Sequence, residues 1–557
     1  MANSVPTPPP DDKAGATVTG FSRISPAQAA ADAIPLLVND DTYHLFHLTT
    51  PPFTRHHPAR LRSSWWRMRS QDLVHWTRDA QPCIMPGGGG NADLSANAPD
   101  ADGAWTGAAV IGPGGGMNIF YTGYNLSQDG RQVILRTQAH DKTASSFGYP
   151  GSEIQINGAG RDLLEDVDFR DPFVFYNSDE SRYWMVVASR LAQGPYWSRG
   201  CIALLTSTDL NTWQFAPEPL YTPGDLFCPE CPELFFLPTT QKWYLVYSRF
   251  HAPNAGTVYR IADSPYGPFR VPRDGSQGRL DGRRWYAAKS CAKAGDPSTR
   301  IFFGWIGDYV EDEGKWLWGG DLGIPREVSA VTGTDYLSVS PAAAAVALAK
   351  ASSTAVPSAN VPRQIALSSS TAGTTTVMPL NLSGTTAKSN MDVLLSMTFD
   401  VADCSAHTFG VIFQPDDQQR GYRLQFRPSI SVPGMPTLYT VTIFIDFPPL
   451  DDFWADQYNL HLPRPVDGPE IVRHDGVVLS SSGVQIFLRR QLVEIFCGGR
   501  SISFRLPRPS TSSTAADKAP HSVLDSCRRV SWFVEDGKVS LENVSIRYGG
   551  QLNKIVT

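Results

Sequence analysis

The chain has 557 residues, too many for one ordinary hydrophobic core, so two domains are expected. Its net charge of -6 at pH 7 is small and is not concentrated in a long run, which argues against a nucleic-acid or membrane partner. Apolar residues make up 41% and aromatic residues 11%, with 47 Gly and 44 Pro, a composition typical of turn-rich β proteins with large cores.

The first residues form a Pro-rich run without the basic and apolar regions of a signal peptide, and no later segment resembles a membrane span. We therefore predict a flexible arm over residues 1–20 and a cytosolic protein. The eight cysteines are scattered and are expected to be buried free thiols. Cys228 and Cys231 have the spacing of half a zinc site, but no second Cys/His pair accompanies them, so no metal is predicted.

One pattern returns five times before residue 338. A short polar motif is followed by a β run rich in aromatic residues, and the runs begin roughly 60 to 75 residues apart. The runs occupy residues 43–48, 117–122, 183–189, 243–248 and 300–305. This repeat predicts a five-bladed β-propeller over residues 21–338, with its innermost strands around a central channel.

The motifs that precede the five runs are predicted to meet at one end of that channel. Three of them contribute a carboxylate, namely Asp32, Asp171 and Glu230. A single strand-end glutamate such as Glu230 is more often structural, but three converging carboxylates indicate a site for acid–base chemistry.

A second repeat links two outer turns of the predicted propeller. The pattern Ser-x-Asp-Leu-x-x-Trp occurs at Ser70–Trp76 and again at Ser207–Trp213. We predict that each Asp bonds local backbone amides and that each Trp fills space between blades.

The sequence changes character from about residue 340. An Ala-rich stretch predicts a short helix, and the Ser/Thr-rich text after it is typical of a linker, so residues 339–378 are predicted to connect two domains. Alternating β runs then predict a β-sandwich over residues 379–557. The fold class is therefore all-β, a five-bladed β-propeller followed by a C-terminal β-sandwich.

Several motifs together resemble glycoside hydrolase family 32, which contains invertases, inulinases, levanases and fructosyltransferases. Residues 169–172 resemble its Arg-Asp-Pro motif, Glu230-Cys231 its Glu-Cys motif, and Trp105-Thr106-Gly107 its aromatic-Ser-Gly motif. Residues 493–496 resemble a run in its sandwich. The resemblance implies retaining hydrolysis of a fructofuranosyl bond in a small carbohydrate, without metal or cofactor.

The nucleophile motif departs from the family pattern. Asp32 lies eleven residues before Tyr43, where the family carries Asn-Asp-Pro-Asn-Gly, but both asparagines are missing here. Asn39-Asp40-Asp41 looks similar to that motif but lies too close to the next strand, so it is assigned to a turn. The change leaves the identity of the bound sugar open.

The resemblance implies a role for each site residue. Asp32 would be the nucleophile with a low pKa, and Glu230 the acid and later base with a raised pKa, about 5 to 5.5 Å from Asp32. Asp171 would stay ionised and bond ring hydroxyls. The predicted substrate-binding residues are Arg170, Trp105, Thr106, Trp65, His56 and Trp318.

Three alternatives stay open. An arabinofuranosidase-like enzyme would act on another furanoside, and inverting members hold their carboxyls about 6.5 to 9.5 Å apart. A catalytically inactive carbohydrate-binding relative is the second alternative. Fructosyl transfer at the same site is the third, and the sequence is also compatible with a homodimer.

Overall fold

The computed structural model describes most of the chain. The described residues are 21–25, 28–51, 62–88, 98–141, 143–144, 146–148, 151–250, 255–310, 315–370, 373–380, 394–414, 422–445, 470–479, 483–489, 491–506 and 529–556. The arm predicted over residues 1–20 lies outside them.

The first blade contributes four antiparallel strands to a larger sheet, and the second blade is a four-stranded antiparallel sheet. The first blade contains β1 (Ala30–Val38), β2 (Thr42–Thr49), β3 (Ser64–Ser70) and β4 (His75–Arg78). The second contains β5 (Gly103–Ile111), β6 (Met117–Tyr124), β7 (Gln132–Gln138) and β8 (Ser152–Glu153).

The next two blades continue the same order of strands. The third contains β9 (Gln155–Asn157), β10 (Leu164–Asn177), β11 (Arg182–Leu191), β12 (Gly200–Ser207) and β13 (Thr212–Phe215). The fourth contains β14 (Glu230–Leu237), β15 (Lys242–Arg249) and β16 (Gly256–Ala262). Short 3-10 helices lie at Pro86–Gly88, Leu126–Gln128, Ala159–Leu163 and Tyr196–Ser198.

The fifth blade closes the ring. It contains β17 (Trp285–Lys293), β18 (Asp296–Val310), β19 (Lys315–Leu322), β20 (Arg326–Ala330) and β21 (Leu337–Pro341). β19 also pairs with β1, with Ala30 opposite Gly320, so the first and last blades share hydrogen bonds. The five predicted β runs lie in β2, β6, β11, β15 and β18, each of which pairs with the innermost strand of its blade, and the five-bladed propeller is confirmed.

The two Ser-x-Asp-Leu-x-x-Trp copies adopt the same turn, as predicted. Ser70 Oγ accepts from Leu73 N at 2.9 Å, and the Trp76 indole donates to Leu73 O at 2.9 Å. In the other copy Ser207 Oγ accepts from Leu210 N at 2.9 Å. Each motif therefore fixes an outer turn and places a fully buried Trp behind it.

The C-terminal domain begins after one short helix, α1 (Ala343–Ser352). One sheet contains β22 (Thr354–Ala355), β23 (Ile365–Ser369), β25 (Leu394–Cys404), β30 (Val484–Arg489), β31 (Leu492–Cys497), β32 (Arg500–Arg505) and β34 (Gly537–Gly550). The other contains β24 (Thr375–Pro379), β26 (Thr408–Gln414), β27 (Tyr422–Ile430), β28 (Leu438–Ile445), β29 (Glu470–Val478) and β33 (Arg529–Glu535). Alternate side chains of both sheets form one apolar core, which confirms the β-sandwich. The last strand, β35 (Lys554–Ile555), pairs with β4 of the propeller.

The predicted linker over residues 339–378 is only partly a linker. Its helix is present, but β23 pairs with β34 and β24 pairs with β33, so both belong to the sandwich. Residues 365–369 alternate buried and exposed side chains, the pattern of a half-buried strand. Small Ser and Thr residues obscured that pattern because they fit strands as well as loops.

Buried charges join the propeller to the sandwich. Arg326 of β20 lies 2.9 Å from Asp281 Oδ2 and 3.5 Å from Glu494 Oε2 of β31, and none of the three is more than slightly exposed. The Ile324 amide donates to Glu494 at 2.9 Å, and the Arg326 guanidinium lies 3.7 Å from the centre of the Trp285 ring. Removing Arg326 would take away the cation that these two buried carboxylates share.

Among the described residues, no helix is long and apolar enough to cross a membrane.

Candidate active site

Every innermost strand carries a β-bulge near its start, at the same end of the channel. A bulge inserts extra residues into one strand and redirects their side chains. The first extra residue in each blade is Asp32, Thr106, Asp171, Cys231 or Ala287. The residues just before these are Ala31, Trp105, Arg170, Glu230 and Tyr286. The bulges thus bring the five sequence motifs to one place.

Glu230 is held by its counterparts in the two neighbouring blades. Arg170 Nη2 donates to Glu230 Oε1 at 2.9 Å, and the Tyr286 hydroxyl donates to Oε2 at 2.6 Å. Burial of the carboxyl raises the pKa of Glu230, and Arg170 opposes that rise. The predicted raised pKa is confirmed, and the two donors fix the orientation of the carboxyl.

Asp32 lies at the bulge of β1 and is almost fully buried. The Trp305 indole donates to its Oδ1 at 2.8 Å. Burial and repulsion from Asp171 and Glu230 raise the pKa of Asp32 to about 7. The predicted low pKa was wrong because burial and the two neighbouring carboxylates outweigh the indole bond and the charge of Lys289.

Direct contacts bring the three carboxylates into one site. Arg170 Nη2 donates to Glu230, and Arg170 Nε lies 3.8 Å from Asp171 Oδ2. The ring of Tyr286, which bonds Glu230, packs against the ring of Trp305, which bonds Asp32, with ring centres 5.8 Å apart.

Asp171 is fixed mainly by backbone groups. Its Oδ2 accepts from the Cys231 amide at 2.9 Å, and its own amide donates to Thr122 Oγ1 at 2.9 Å. Its φ of 59° is uncommon for a residue with a side chain and is imposed by the bulge. Arg170 Nε lies 3.8 Å from the same oxygen.

Arg170 continues into a buried ion network away from the channel. It bonds Asp168, which in turn lies 3.4 Å from Arg190. Arg190 also pairs with Glu165 at 3.0 Å. Because Arg170 is anchored on both sides, it can orient Glu230 without moving toward it.

The second blade contributes Trp105 and Thr106, both buried. Trp105 stacks on Tyr124 with ring centres 4.2 Å apart. The Thr106 hydroxyl has no hydrogen-bond partner within the described residues. A side chain at Gly107 would meet the Phe120 carbonyl oxygen at 1.8 Å, so only glycine fits there.

Trp65 does not fit the predicted substrate-binding role. It is fully buried, and its indole donates to the carbonyl oxygens of Ala104 and Trp105 at 3.2 and 3.1 Å. It lies on β3 between the first two blades, where a ligand cannot contact it. The sequence pattern marked a blade tryptophan but did not show which side it packs on.

The other two predicted binding residues differ in what the structure shows. Trp318 packs edge-on against Trp305 with ring centres 6.0 Å apart, so it supports the group that bonds Asp32. His56 lies outside the described residues. Asp40 and Asp41 lie in the turn between β1 and β2, as predicted, with Asp41 N bonded to Val38 O.

Tyr286, Trp305 and Lys289 were not predicted as site residues. Tyr286 and Trp305 donate directly to the two candidate catalytic carboxyls. Lys289 is buried, donates to Gly107 O at 2.8 Å and lowers the pKa of Asp32 by its charge. Tyr286 could have been found because it opens the motif before the fifth β run, as Glu230 opens the motif before the fourth.

Within the described ranges, no group of three or more His, Cys, Asp or Glu side chains is placed to hold a metal ion. Seven cysteines fall in these ranges and all are free thiols, five of them buried, as expected.

The chain is similar to known proteins of one family. Residues 26–341 match the model of the glycosyl hydrolases family 32 N-terminal domain. An insoluble β-fructofuranosidase of Arabidopsis thaliana, CWINV1, is 25% identical over 341 residues, or 56% of this chain and 54% of that protein. The levanase of Bacillus subtilis is 27% identical over 316 residues, or 51% of this chain and 41% of that protein. The chain thus spans about half the length of the curated relatives it matches.

Solved structures share the fold along nearly the whole chain. Fructan 1-exohydrolase IIa of Cichorium intybus aligns with a TM-score of 0.65 and 16% identity, over 96% of this chain and 98% of that one. Sucrose-6-phosphate hydrolase of Lactobacillus gasseri aligns with a TM-score of 0.63 and 17% identity, over 96% and 93%. At such identities the likeness establishes a β-propeller with a β-sandwich. Since the family model covers more than half of the chain, this protein belongs to glycoside hydrolase family 32.

Proposed function

We propose that the chain is a retaining β-fructofuranosidase that cleaves sucrose or fructo-oligosaccharides. The observation that carries this proposal is the pair of differently held carboxyls, Glu230 between two hydrogen-bond donors and Asp32 bonded by an indole. Glu230 is oriented for proton transfer, and Asp32 is assigned the attack on the sugar. Retaining glycosidases need this division of roles.

In the first step Glu230 is protonated and gives its proton to the oxygen that leaves. Asp32, ionised, attacks the anomeric carbon as the bond to that oxygen breaks, and a fructosyl ester forms on Asp32. Burial favours the protonated form of Glu230 before the step. The positive charge that develops on the sugar ring stabilises ionised Asp32 in the same step.

In the second step Glu230 is a base. It takes a proton from water, and the water oxygen attacks the anomeric carbon and releases Asp32. Arg170 and Tyr286 both donate to the ionised form of Glu230, so they stabilise it between the two steps. A sugar hydroxyl in place of water would give fructosyl transfer.

Asp171 is assigned to binding the sugar. Its carboxylate is fixed by the Cys231 amide at 2.9 Å, so it is preorganised to accept hydrogen bonds from ring hydroxyls. A bond that shortens as charge develops contributes to rate as well as to binding.

Fructose is favoured as the bound sugar by the relatives. The similar proteins include β-fructofuranosidases and a levanase, and among the solved neighbours fructan 1-exohydrolase IIa holds 1-kestose and a Bombyx mori β-fructofuranosidase holds sucrose. Both asparagines beside Asp32 are missing, so an arabinofuranoside is tested as the alternative substrate.

The experiment is a substrate panel with the full chain. Sucrose, 1-kestose, levan and an aryl α-arabinofuranoside are incubated with the protein, and products are separated by chromatography. Release of fructose from the first three is expected, and transfer would appear as longer oligosaccharides. Cleavage of the arabinofuranoside alone, or of no substrate, would overturn the proposal.

Variants assign the activity to the site. Asp32→Asn and Glu230→Gln should each lower kcat by a factor of about 10³ or more with the fold retained. Asp41→Asn, in the turn between β1 and β2, is the matched control because that carboxylate is exposed and follows the opposite end of β1 from Asp32. Equal rates in Asp32→Asn and the wild type would remove Asp32 as nucleophile.

A further inference from the structure

An exposed aromatic pair lies on the loop that joins β11 to β12. β10 begins at Leu164, opposite the last residue of β11, Leu191, and the Ala192 amide donates to Leu163 O at 2.9 Å. This loop therefore lies at the end of the channel where the bulges are. Its short 3-10 helix carries Tyr196, which is 50% exposed, and Trp197, which is half-buried.

Phe227 and Arg190 hold the rings of Tyr196 and Trp197 in place. Tyr196 and Trp197 each lie 5.5 Å from the ring of Phe227, measured between ring centres. The Arg190 guanidinium lies 4.4 Å from the centre of Tyr196 and 3.8 Å from that of Phe227. Arg190 also donates to the Tyr196 carbonyl oxygen at 2.8 Å. An aromatic surface held in this way loses little entropy when a ligand covers it.

The pair is on the Glu230 side of the site. Phe227 precedes Glu230 by three residues, and the Cys228 thiol between them lies 3.9 Å from Ser189 O of β11. Arg190 is connected to Glu230 through Asp168 and Arg170. Asp32 belongs to the first blade and the pair to the third, beside the blade that carries Glu230.

The proposed mechanism determines which part of the substrate lies on the Glu230 side of the site. Glu230 protonates the oxygen that bridges the two sugars, so the leaving sugar extends from the Glu230 side and away from Asp32. A sugar ring has one face of C–H groups, and that face gains free energy when it leaves water for an aromatic surface. The Arg199 guanidinium, which bonds Glu165 and Ala192 O, lies 5.2 Å from the centre of Tyr196 and supports that ring.

We propose that Tyr196 and Trp197 form an aromatic platform that binds the leaving-group sugar of a di- or oligosaccharide. The proposal rests on the proposed function and deepens it. The platform selects substrates whose leaving group is a sugar ring, over those whose leaving group is a small alcohol.

The test compares substrates that differ only in the leaving group. The ratio of kcat/KM for sucrose to that for methyl β-D-fructofuranoside is measured for the wild type, Tyr196→Ala and Trp197→Ala. Each variant should lower the ratio about five- to tenfold, the loss expected for one aromatic contact. Tyr176→Ala is the matched control, because Tyr176 is 53% exposed at the opposite end of the same blade, and it should leave the ratio unchanged.

A second measurement does not depend on turnover. Sucrose and 1-kestose are titrated by calorimetry into Asp32→Asn, alone and combined with Tyr196→Ala or Trp197→Ala. Weaker binding in the combined variants supports the platform. An unchanged ratio together with unchanged binding overturns it, as does an equal loss on both substrates.

The outcomes separate the two proposals. Hydrolysis of methyl β-D-fructofuranoside by the wild type upholds the proposed function whatever the platform variants do. Failure to cleave either fructoside removes the proposed function, and the platform proposal falls with it.

Discussion

Tyr286 donates its hydroxyl to Glu230 at 2.6 Å, and both residues immediately precede the bulge of their own blade. Arg170 holds the same position in the third blade and donates to the other oxygen of Glu230. Three consecutive blades thus place three equivalent side chains in one hydrogen-bonded row. The acid–base chemistry depends on that register.

Tyr286→Phe should shift the pH dependence of the reaction. The hydroxyl donates to ionised Glu230 and so lowers its pKa, and its loss leaves Glu230 protonated to higher pH. The alkaline limb of the kcat/KM profile is expected to move to higher pH. The value of kcat should fall about tenfold, because the second step needs the ionised form of Glu230. Tyr247→Phe, a buried tyrosine of the fourth blade that contacts Tyr221, is the control. A profile identical to the wild type would show that the contact has no catalytic effect.

Trp305→Phe should move the acidic limb. The indole stabilises ionised Asp32, whose pKa is about 7 in the folded protein, so its loss raises that pKa further. Activity that needs ionised Asp32 is lost as pH falls, and the loss should begin at higher pH in this variant than in the wild type. Rates of 1-kestose hydrolysis between pH 5 and 9 measure the shift. An acidic limb at lower pH than in the wild type would contradict the hydrogen bond assigned between Trp305 and Asp32.

Asp32→Asn should stabilise the fold at alkaline pH. The pKa rises from 3.8 in the unfolded chain to about 7 when folded, so the unfolded state binds fewer protons between these values and stability falls as pH rises. Above pH 7 the cost reaches about 4 kcal/mol as an upper limit. Urea unfolding at pH 4.5 and pH 8 should show a gain for Asp32→Asn that is larger at pH 8. Asp209→Ala should instead lower stability at pH 8, because backbone amides hold that carboxylate ionised. An equal gain in the free energy of unfolding for Asp32→Asn at both pH values would show that the titration of Asp32 is not its cause.

Arg326→Met should destabilise the interface between the propeller and the sandwich. It leaves Asp281 and Glu494 buried without their shared cation, which is expected to cost about 3–5 kcal/mol. Arg69→Met, which breaks the more exposed pair with Asp79, should cost about 0–1 kcal/mol. Thermal unfolding of both variants measures the difference. Similar melting temperatures would mean that the buried cluster contributes little.

Much of the fold was accessible from the sequence because each blade repeats the same order of motif and aromatic run. The carboxylates could be found because they recur at nearly constant distance from those runs. Glu230, however, lies one position earlier in its bulge than Asp32 and Asp171 do in theirs, and a bulge is invisible in the spacing of apolar residues.

The remaining features depend on contacts between distant segments. Trp305 is 273 residues from Asp32, and only blade closure brings its indole to that carboxyl. The low pKa expected for Asp32 followed from its assigned role as nucleophile, whereas burial and two other carboxylates raise that pKa in the structure. Trp65 was assigned to the pocket because its pattern is the same whether the ring faces the channel or the next blade.

The most direct measurement is the mass of the intermediate formed on Asp32. In Glu230→Gln, β-fructofuranosyl fluoride should react because fluoride needs no proton to leave, while hydrolysis of the ester lacks its base. Mass spectrometry of the intact protein is expected to show the addition of one fructosyl group, and peptide mapping should place it on Asp32, with no adduct in the double variant Asp32→Asn/Glu230→Gln. An adduct on another residue, or release of α-fructose without any adduct, would contradict Asp32 as the nucleophile.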